Sequence, residues 1–269
     1  MAVIALNSGA SALSALSTRM DVIANNLANM NTDGFKASRA NFQDLIYQER
    51  AHPGVENANG DQRPTGLYVG LGVKVSGTQL NFAQGSPIVT DNPYDIMIDG
   101  RGFFQVSVEP DTAEGGVAYT RAGNFTLNEE GELVLANDQG RRIEPNITIP
   151  DDAIGVEITG DGQVYAVFEG QAAPQNVGEL ELAAFINESG LRRIGENLYG
   201  ETAASGPPIT GAPGETGLGT ITQGVIEGSN VDPTLELIGL IRTQRAYEMN
   251  SQTIKAADEV MRQVAQLGR

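Results

Sequence analysis

Two apolar seams, one at each end of the chain, constrain its fold more than any other feature. Residues 1–30 and 232–267 carry apolar side chains at intervals of seven and three, which places them along one side of an α-helix. The predicted seam of the first helix contains Leu6, Leu13, Leu16, Met20, Ile23, Leu27 and Met30. The predicted seam of the last helix contains Leu237, Leu240, Tyr247, Ile254, Met261 and Val264. So narrow a stripe must pack on another helix, either the other terminus or a neighbouring copy.

The ends of both predicted helices carry capping signals. Asp232 is expected to be the N-cap of the last helix, with Pro233 at its first position. The segment 31–34 predicts the end of the first helix, with Gly34 in the left-handed C′ position. Asparagines at positions 25, 26, 29 and 31 are unusual on a helix, so they are either solvated or hydrogen-bonded between neighbouring helices.

The middle of the chain predicts β-structure. Between residues 93 and 202, short apolar runs recur at roughly 8–12-residue spacing, which is typical of an antiparallel sandwich or barrel. Gly160-Asp161-Gly162 is a hairpin signal between two such runs. Residues 220–226 are extended again and are expected to pair with residues near 70–90. The predicted fold class is α+β, with terminal helices forming a coiled-coil-like core domain around a β-rich middle.

This pattern predicts a discontinuous architecture of three parts. Residues 1–34 and 228–269 are expected to form a helical axial-core domain. Residues 35–92 and 203–227 form an extended connecting domain, in which the polar segment 48–66 is a long loop or a protruding hairpin. Residues 93–202 form a β-rich outer domain.

The negative charge is concentrated in the middle of the chain. The whole protein has a formal net charge of −17. Residues 1–50 carry four cations and four anions, whereas residues 51–225 carry 8 cations and 24 anions. Near-neutral ends can pack against identical ends without repulsion, and the acidic middle argues against binding to nucleic acid or anionic membranes.

No catalytic, metal-binding or cofactor-binding set stands out, so we expect a protein that is not an enzyme and needs no cofactor. Cysteine is absent, and the single histidine, His52, lies in a polar segment. No run of eighteen apolar residues occurs, so no membrane-spanning helix is expected. The first cation is Arg19, so we expect no secretory signal peptide and an export route other than the general one.

Several segments resemble the bacterial flagellar rod and hook protein family. Ala24–Lys36 resembles its N-terminal signature, and Gln223–Val231 and Gln244–Ser251 resemble its C-terminal signature. The segments that resemble its β-domain are Asp99–Phe104, Tyr119–Phe125 and Ile194–Tyr199. The similarity covers almost the whole chain. The length of the chain favours the distal-rod branch, because hook proteins are usually longer in the middle.

A polar insertion further favours the distal-rod branch. It resembles a stretch associated with a straight, rigid rod, and the rod-stiffening residues carried over from this resemblance are Tyr47, Gln48, Pro53, Gly54, Pro64 and Gly66. Tyr94 departs from the family pattern, in which a smaller aliphatic residue is commoner.

The resemblance implies a structural subunit that polymerises helically into a hollow, rigid drive shaft, with terminal helices inside and the β-domain outside. The implied location is the flagellar basal body, where the rod crosses the periplasm to the outer membrane. The implied partners are further copies of the chain, proximal rod proteins below, hook protein above, the surrounding P and L rings, and the flagellar type III export apparatus.

Other functions stay open at this point. Within the same class, the chain could be a proximal rod or hook subunit. From other classes, a peptidoglycan-active enzyme would need converging carboxylates, and a soluble binding module would use coiled-coil ends for discrete oligomers. For a rod subunit, a lone copy covers only one narrow seam, so we expect its termini to be mobile or partly unfolded until assembly orders them.

Overall fold

The computed structural model describes residues 2–54, 63–111, 113–170, 173–215 and 217–267. The helices are α1 (Ala2–Ala28) and α2 (Pro233–Leu267). The strands are β1 (Ser38–Asp44), β2 (Tyr47–Ala51), β3 (Leu67–Gly70), β4 (Val73–Leu80), β5 (Pro87–Val89), β6 (Ile96–Asp99), β7 (Phe103–Ser107), β8 (Val117–Thr120), β9 (Phe125–Leu127), β10 (Leu133–Leu135), β11 (Ile143–Glu144), β12 (Ala153–Ile158), β13 (Gln163–Phe168), β14 (Gln175–Glu179), β15 (Leu182–Ala184), β16 (Arg192–Gly195), β17 (Leu198–Gly200), β18 (Ile209–Gly211), β19 (Thr220–Gln223) and β20 (Val225–Glu227). The predicted α+β class is therefore confirmed.

The chain forms two compact units. The first contains the described parts of Met1–Ala28, Ser38–Gln79 and Asp232–Arg269, and the second contains those of Asn29–Ala37 and Leu80–Val231. The three-part division expected from the sequence stays a prediction.

In the first unit, α1 and α2 pack together with opposite directions. Gly9 of α1 meets Ile254 of α2, whereas Ile23 meets Gly239, so the contact moves down one helix as it moves up the other. β1 pairs with β4, and β2 and β3 form an antiparallel hairpin. Within the described residues, no helix combines the length and apolar character needed to cross a membrane.

The predicted N-cap of α2 is confirmed. The Asp232 carboxylate accepts hydrogen bonds from the backbone N–H groups of Thr234 and Leu235, at 2.8 and 3.1 Å. These bonds satisfy two of the amide donors that a helix leaves unpaired at its start.

The predicted end of the first helix is wrong by several residues. α1 ends at Ala28, and a turn follows in which the N–H of Thr32 donates to the carbonyl of Asn29. Met30 therefore lies beyond the helix. Gly34 does adopt a left-handed conformation, with φ 69°, but six residues past Ala28, so it is not the C′ residue. Its N–H donates instead to the carbonyl of Glu227.

The second unit consists of short antiparallel strands. Its largest sheet has seven strands in the order β16-β17-β8-β7-β15-β18, with β11 also pairing with β7. A second sheet has the order β12-β13-β14, and β9 pairs with β10. Apolar residues of these strands and of the pair β6 and β19 form the main core, which includes Ile96, Phe104, Leu133 and Ile221. Tyr94 packs against this core while partly buried.

The return of the chain through residues 220–226 was predicted only in part. β20 pairs with β5, as expected, with Ile226 opposite Ile88. β19 pairs instead with β6, outside the expected range, with Ile221 opposite Ile98. This pairing inserts Ile221 into the main core, where it is buried, so burial of apolar surface favours it.

Candidate functional site

The contact between α1 and α2 is built from small side chains. Gly9 and Ala15 of α1 and Thr243 of α2 are buried. A Cβ atom on Gly9 would stand 2.8 Å from Cγ1 of Ile254, closer than real Cβ contacts allow. The helices therefore approach each other closely where glycine lacks a side chain, which explains part of the small-residue content of α1.

The structure places the predicted seam residues in different surroundings. Ile23 is buried; the half-buried members are Leu6, Leu13, Leu16, Met20, Leu27, Leu240, Ile254 and Met261. The exposed members are Met30, Leu237, Tyr247 and Val264. The helix pair thus leaves most of the seam residues only partly covered. The role of these residues in contacts between copies stays a prediction.

One side of α2 carries apolar side chains that α1 does not cover. We call this the uncovered face and define it by Leu237, Ile238, Ile241 and Met249, which are 50, 42, 49 and 62% exposed. At about 100° per residue, these four side chains point more than about 100° away from Thr243 on the covered side. An α-helix that is apolar on two sides needs a second partner to bury the second side.

Asn26 joins three parts of the first unit. Its side-chain amide donates to the carbonyl of Ser38 at 2.9 Å and to the carboxylate of Glu236 on α2 at 2.8 Å. Its amide oxygen accepts the N–H of Ser38 at 2.9 Å, and the side chain is 1% exposed. Of the two interpretations open for the helix asparagines, hydrogen bonding between helices is confirmed for Asn26.

The predicted rod-stiffening stretch begins and ends in a β-hairpin. Tyr47 and Gln48 lie in β2, and the Tyr47 ring covers Gly70 on the opposite strand. Near the tip, the N–H of Gly54 donates to the carbonyl of Arg63 at 2.8 Å. Pro53, Pro64 and Gly66 flank this closure, and residues 55–62 lie outside the described part.

The hairpin presents aromatic and apolar side chains to solvent. Ile46, Tyr47, Leu67 and Tyr68 are all more than half exposed. A hydrogen bond to Asp44 raises the pKa of Tyr47, and one to Glu49 raises the pKa of Tyr68. Both phenols are therefore held by carboxylates, which orients the exposed rings.

A buried charged network in the second unit was missed from the sequence. Lys36 Nζ lies 2.6 Å from Glu227 Oε1, and both side chains are 1% exposed. Arg121 Nη1 lies 3.5 Å from the other oxygen of Glu227, and the Arg121 side chain is also buried. Burial lowers the pKa of Lys36 and of Arg121, and Glu227 opposes that effect for both.

A sequence signal for this network did exist. Lys36, Arg121 and Glu227 each belong to a segment that resembles a family signature, Ala24–Lys36, Tyr119–Phe125 and Gln223–Val231. A charged residue within such a segment is a candidate for a buried ion pair. The segment does not indicate the partner, since Lys36 and Glu227 lie 191 positions apart.

The described residues contain no group of three or more histidine, cysteine, aspartate or glutamate side chains placed to hold a metal ion. His52 is exposed and lies 2.8 Å from Glu49 on the hairpin.

Family models of flagellar proteins match three parts of the chain. Residues 6–36 match the flagella basal body rod protein model, and residues 222–267 match the C-terminal model of the flagellar basal body rod FlgEFG proteins. Residues 97–166 match the D1 domain of the flagellar hook protein FlgE/F/G. The first two matches fall mainly on the helices, and the third falls on the β-rich unit.

Full-length relatives carry the same assignment. The chain is 45% identical to the flagellar basal-body rod protein FlgG of Caulobacter vibrioides, over 98% of both chains. It is 36% identical to the FlgG protein of Bacillus subtilis, again over 98% of both. Identity to the flagellar basal-body rod protein FlgF of Caulobacter vibrioides is 34%, over 98% of both. The chain therefore belongs to the family of flagellar basal-body rod proteins, a family of structural rod and hook proteins rather than of enzymes.

Proposed function

We propose that this chain is the structural subunit of the flagellar distal rod, polymerising helically into a hollow, rigid shaft that transmits motor torque to the hook. The observation that carries this proposal is the uncovered face of α2. Four exposed apolar side chains on one helix are costly in water, and covering each would contribute about 1 kcal/mol. Neighbouring copies in a helical polymer supply that cover.

The distal rod is favoured over the proximal rod or hook within the same family. Two proteins of one organism, Caulobacter vibrioides, allow a direct comparison, since the chain is 45% identical to FlgG and 34% to FlgF. The hairpin at 48–66 adds a second argument, because the stretch resembles the one associated with a rigid rod.

Polymerisation tests the proposal. In the variant Ile241→Asp with Met249→Asp, two charges are placed on the uncovered face, so we expect a folded chain that no longer forms filaments by electron microscopy. The matched control is Ile154→Asp with Ile186→Asp, since both isoleucines are exposed apolar residues of the second unit. Filaments from the first variant as abundant as those of the control would reject the role of this face.

We further propose that all the predicted seam residues, Leu6, Leu13, Leu16, Met20, Ile23, Leu27, Met30, Leu237, Leu240, Tyr247, Ile254, Met261 and Val264, are covered in the polymer. In a dilute single copy, the half-covered seams support mobile or partly unfolded termini. Hydrogen exchange measures this directly. We expect weak protection of residues 6–30 and 237–264 in the monomer and strong protection in the filament. Equal protection in both states would contradict the proposal.

We also propose that the hairpin braces adjacent copies and stiffens the shaft. The side chains of segment 48–65 would supply the contact with the neighbouring copy. Deleting residues 48–65 should give filaments that bend, seen as a shorter persistence length in micrographs. A control chain, with the same residues replaced by a flexible Gly/Ser segment of equal length, separates chain length from side-chain contacts. Filaments as stiff as the unmodified ones would count against bracing.

The proposed partners follow from the same role: proximal rod proteins, hook protein, the P and L rings, and the type III export apparatus, with the rod crossing the periplasm. The acidic residues of 51–225 would face the rings and limit adhesion to them. Site-specific crosslinking in flagellated cells tests these contacts. A cell-wall zymogram is expected to show no hydrolysis; a cleared band would support the enzyme alternative instead.

A further inference from the structure

Three segments of the second unit meet at the residues where the chain leaves that unit. They are residues 33–37 after α1, residues 81–86 after β4, and residues 227–230 before α2. The first and the last are about 190 positions apart in the sequence. The contacts that hold these three segments together are mainly polar.

Glu227 is the centre of this meeting point. Its Oε1 accepts from Lys36 Nζ at 2.6 Å and from the backbone N–H of Gly85 at 2.7 Å. Its own backbone carbonyl accepts the N–H of Gly34 at 2.7 Å. One residue of the returning segment therefore binds both other segments, through a buried carboxylate and through its main chain.

Asn230, three residues after Glu227, connects the same three segments. Its side-chain oxygen accepts the N–H of Ala37 at 2.7 Å. Its side-chain nitrogen donates to the carbonyls of Asn81 at 2.8 Å and Ala83 at 2.9 Å. Lys36 Nζ donates to the same Ala83 carbonyl at 2.9 Å. The side chains of Lys36 and Asn230 thus join the three segments through one shared acceptor, the Ala83 carbonyl.

Within this buried network, we expect the substitution of Glu227 to be the most destabilising, because of its charge. Lys36 and Arg121 bring two positive charges into the buried network, and Glu227 carries the negative charge that faces both. Arg121 is anchored independently, because its Nη2 donates to the carbonyl of Gly100 at 2.6 Å. Removing the carboxylate leaves two buried cations facing each other, which is far more costly than removing an exposed charge.

Arg121 attaches the network to the core of the same unit, because its guanidinium lies 5.5 Å from the centre of the Phe103 ring and its Nη1 lies 3.4 Å from the Ile98 carbonyl oxygen. Lys36, Glu227 and Asn230 join the three segments through an ion pair and hydrogen bonds instead. Proteins open in cooperative parts with different free energies, and a part held by polar contacts outside the apolar core can open alone.

We propose that Lys36, Glu227 and Asn230 form a latch that opens and closes as one unit, while Arg121 stays anchored on the β-core. The latch holds the segment leaving α1 and the segment entering α2 at one point. Load arriving along either helix then enters the second unit at that point rather than through two separate linkers. The inference goes beyond the proposed polymerisation, since the latch lies within one copy.

Hydrogen exchange of the full-length single chain tests the latch. In Glu227→Gln, we expect the backbone amides of Gly34, Gly85 and Gly228 to exchange at least about tenfold faster, together, while amides of β7 and β8 change less than about twofold. Asn230→Ala keeps the charges and should give the same pattern at smaller amplitude, so the test survives if Glu227→Gln fails to fold. No filament is needed, which keeps this result distinct from the polymerisation test.

A matched control comes from the same unit. Glu132 is also buried and pairs with Arg142 at 2.9 Å, away from the three segments. Glu132→Gln should leave the amides of Gly34, Gly85 and Gly228 unchanged. Two results overturn the latch: unchanged exchange at these amides in both Glu227→Gln and Asn230→Ala, or equal acceleration of β7 and β8 in Asn230→Ala.

Discussion

Gly9 of α1 and Ile254 of α2 are in contact at a distance that leaves no room for a side chain on Gly9. A Cβ atom there would lie 2.8 Å from Cγ1 and 3.2 Å from Cδ1 of Ile254. Isoleucine is branched at Cβ, so Cγ1 has little freedom to move away. Glycine costs a helix about 1 kcal/mol relative to alanine, and the close approach of the two helices explains its presence.

The first prediction concerns this contact. We expect Gly9→Ala to destabilise the helix pair by about 1 kcal/mol, because overpacking outweighs the gain in helix propensity. In an Ile254→Ala background, the same change should stabilise the pair by about 1 kcal/mol. Hydrogen exchange of α1 amides in assembled filaments measures both values.

Gly239→Ala is the control for this double-mutant comparison of Gly9 and Ile254. A Cβ on Gly239 would lie 3.6 Å from Cδ1 of Ile23, an ordinary contact, so this change should stabilise α2 by about 1 kcal/mol. If the effects of Gly9→Ala and Ile254→Ala are additive, the contact with Ile254 does not determine whether Gly9→Ala stabilises or destabilises the helix pair.

The second prediction concerns Asn26. Replacing it with alanine removes two hydrogen bonds to the Ser38 backbone and one to Glu236, so we expect a loss of about 2–3 kcal/mol. Asn26→Asp should cost more, because a second carboxylate then faces Glu236. Asn250→Ala removes only a local bond to the Ala246 carbonyl and serves as the control, with a change below about 0.5 kcal/mol. Thermal melting of filaments compares the three.

The third prediction is a loss of stability at alkaline pH. Burial raises the pKa of Tyr199 to about 12 and that of Tyr119 to about 12, from 10.0. The folded protein therefore keeps protons that the unfolded chain releases above pH 10. Their contribution is fully present below pH 10 and is lost as the pH rises toward 12, by about 3 kcal/mol for Tyr199.

Tyr199→Phe isolates this contribution. The variant cannot ionise at that position, so its free energy of unfolding should fall by about half as much between pH 10 and 12. Tyr247→Phe removes the hydroxyl of an exposed tyrosine of α2 and is the control for the substitution itself. Denaturant unfolding at stepped pH, followed by tyrosinate absorbance, gives the values. Identical profiles for Tyr199→Phe and the parent would argue against the assignment.

The elements that local pattern controls could be predicted from the sequence. Seven-residue spacing gave both helices, and Asp232 before Pro233 gave the start of α2, because a cap depends only on neighbours in the chain. The hairpin joining β12 and β13 at Gly160-Asp161-Gly162 follows from the same kind of local signal. Each of these features is decided within about one turn or one strand.

Features that depend on distant partners could not be predicted. Lys36 and Glu227 are brought together by the fold, and nothing near either residue indicates which charge it meets. The same applies to β19, whose pairing with β6 is decided by burial of Ile221 in a core formed by residues far away in sequence. Met30 was misplaced because the helical spacing continues past Ala28, while contacts of the following turn end the helix.

The last prediction compares two glycines of different surroundings. A Cβ on Gly123 would lie 1.6 Å from the carbonyl oxygen of Ile96, whose own N–H donates to the Gly123 carbonyl at 2.9 Å. Backbone cannot move aside as a side-chain end can, so Gly123→Ala should separate the two segments and cost at least about 2 kcal/mol.

Gly77 in β4 is the matched control, because a Cβ there meets nothing within 4 Å. Alanine restricts the unfolded chain more than glycine does, so Gly77→Ala should stabilise by about 0.5–1 kcal/mol. Equilibrium unfolding of both variants in urea measures the difference in sign. The close approach at Gly123 brings the segment before β9 against the start of β6, at the edge of the main core. A mild effect of Gly123→Ala would therefore mean that this part of the core is looser than the structure has it.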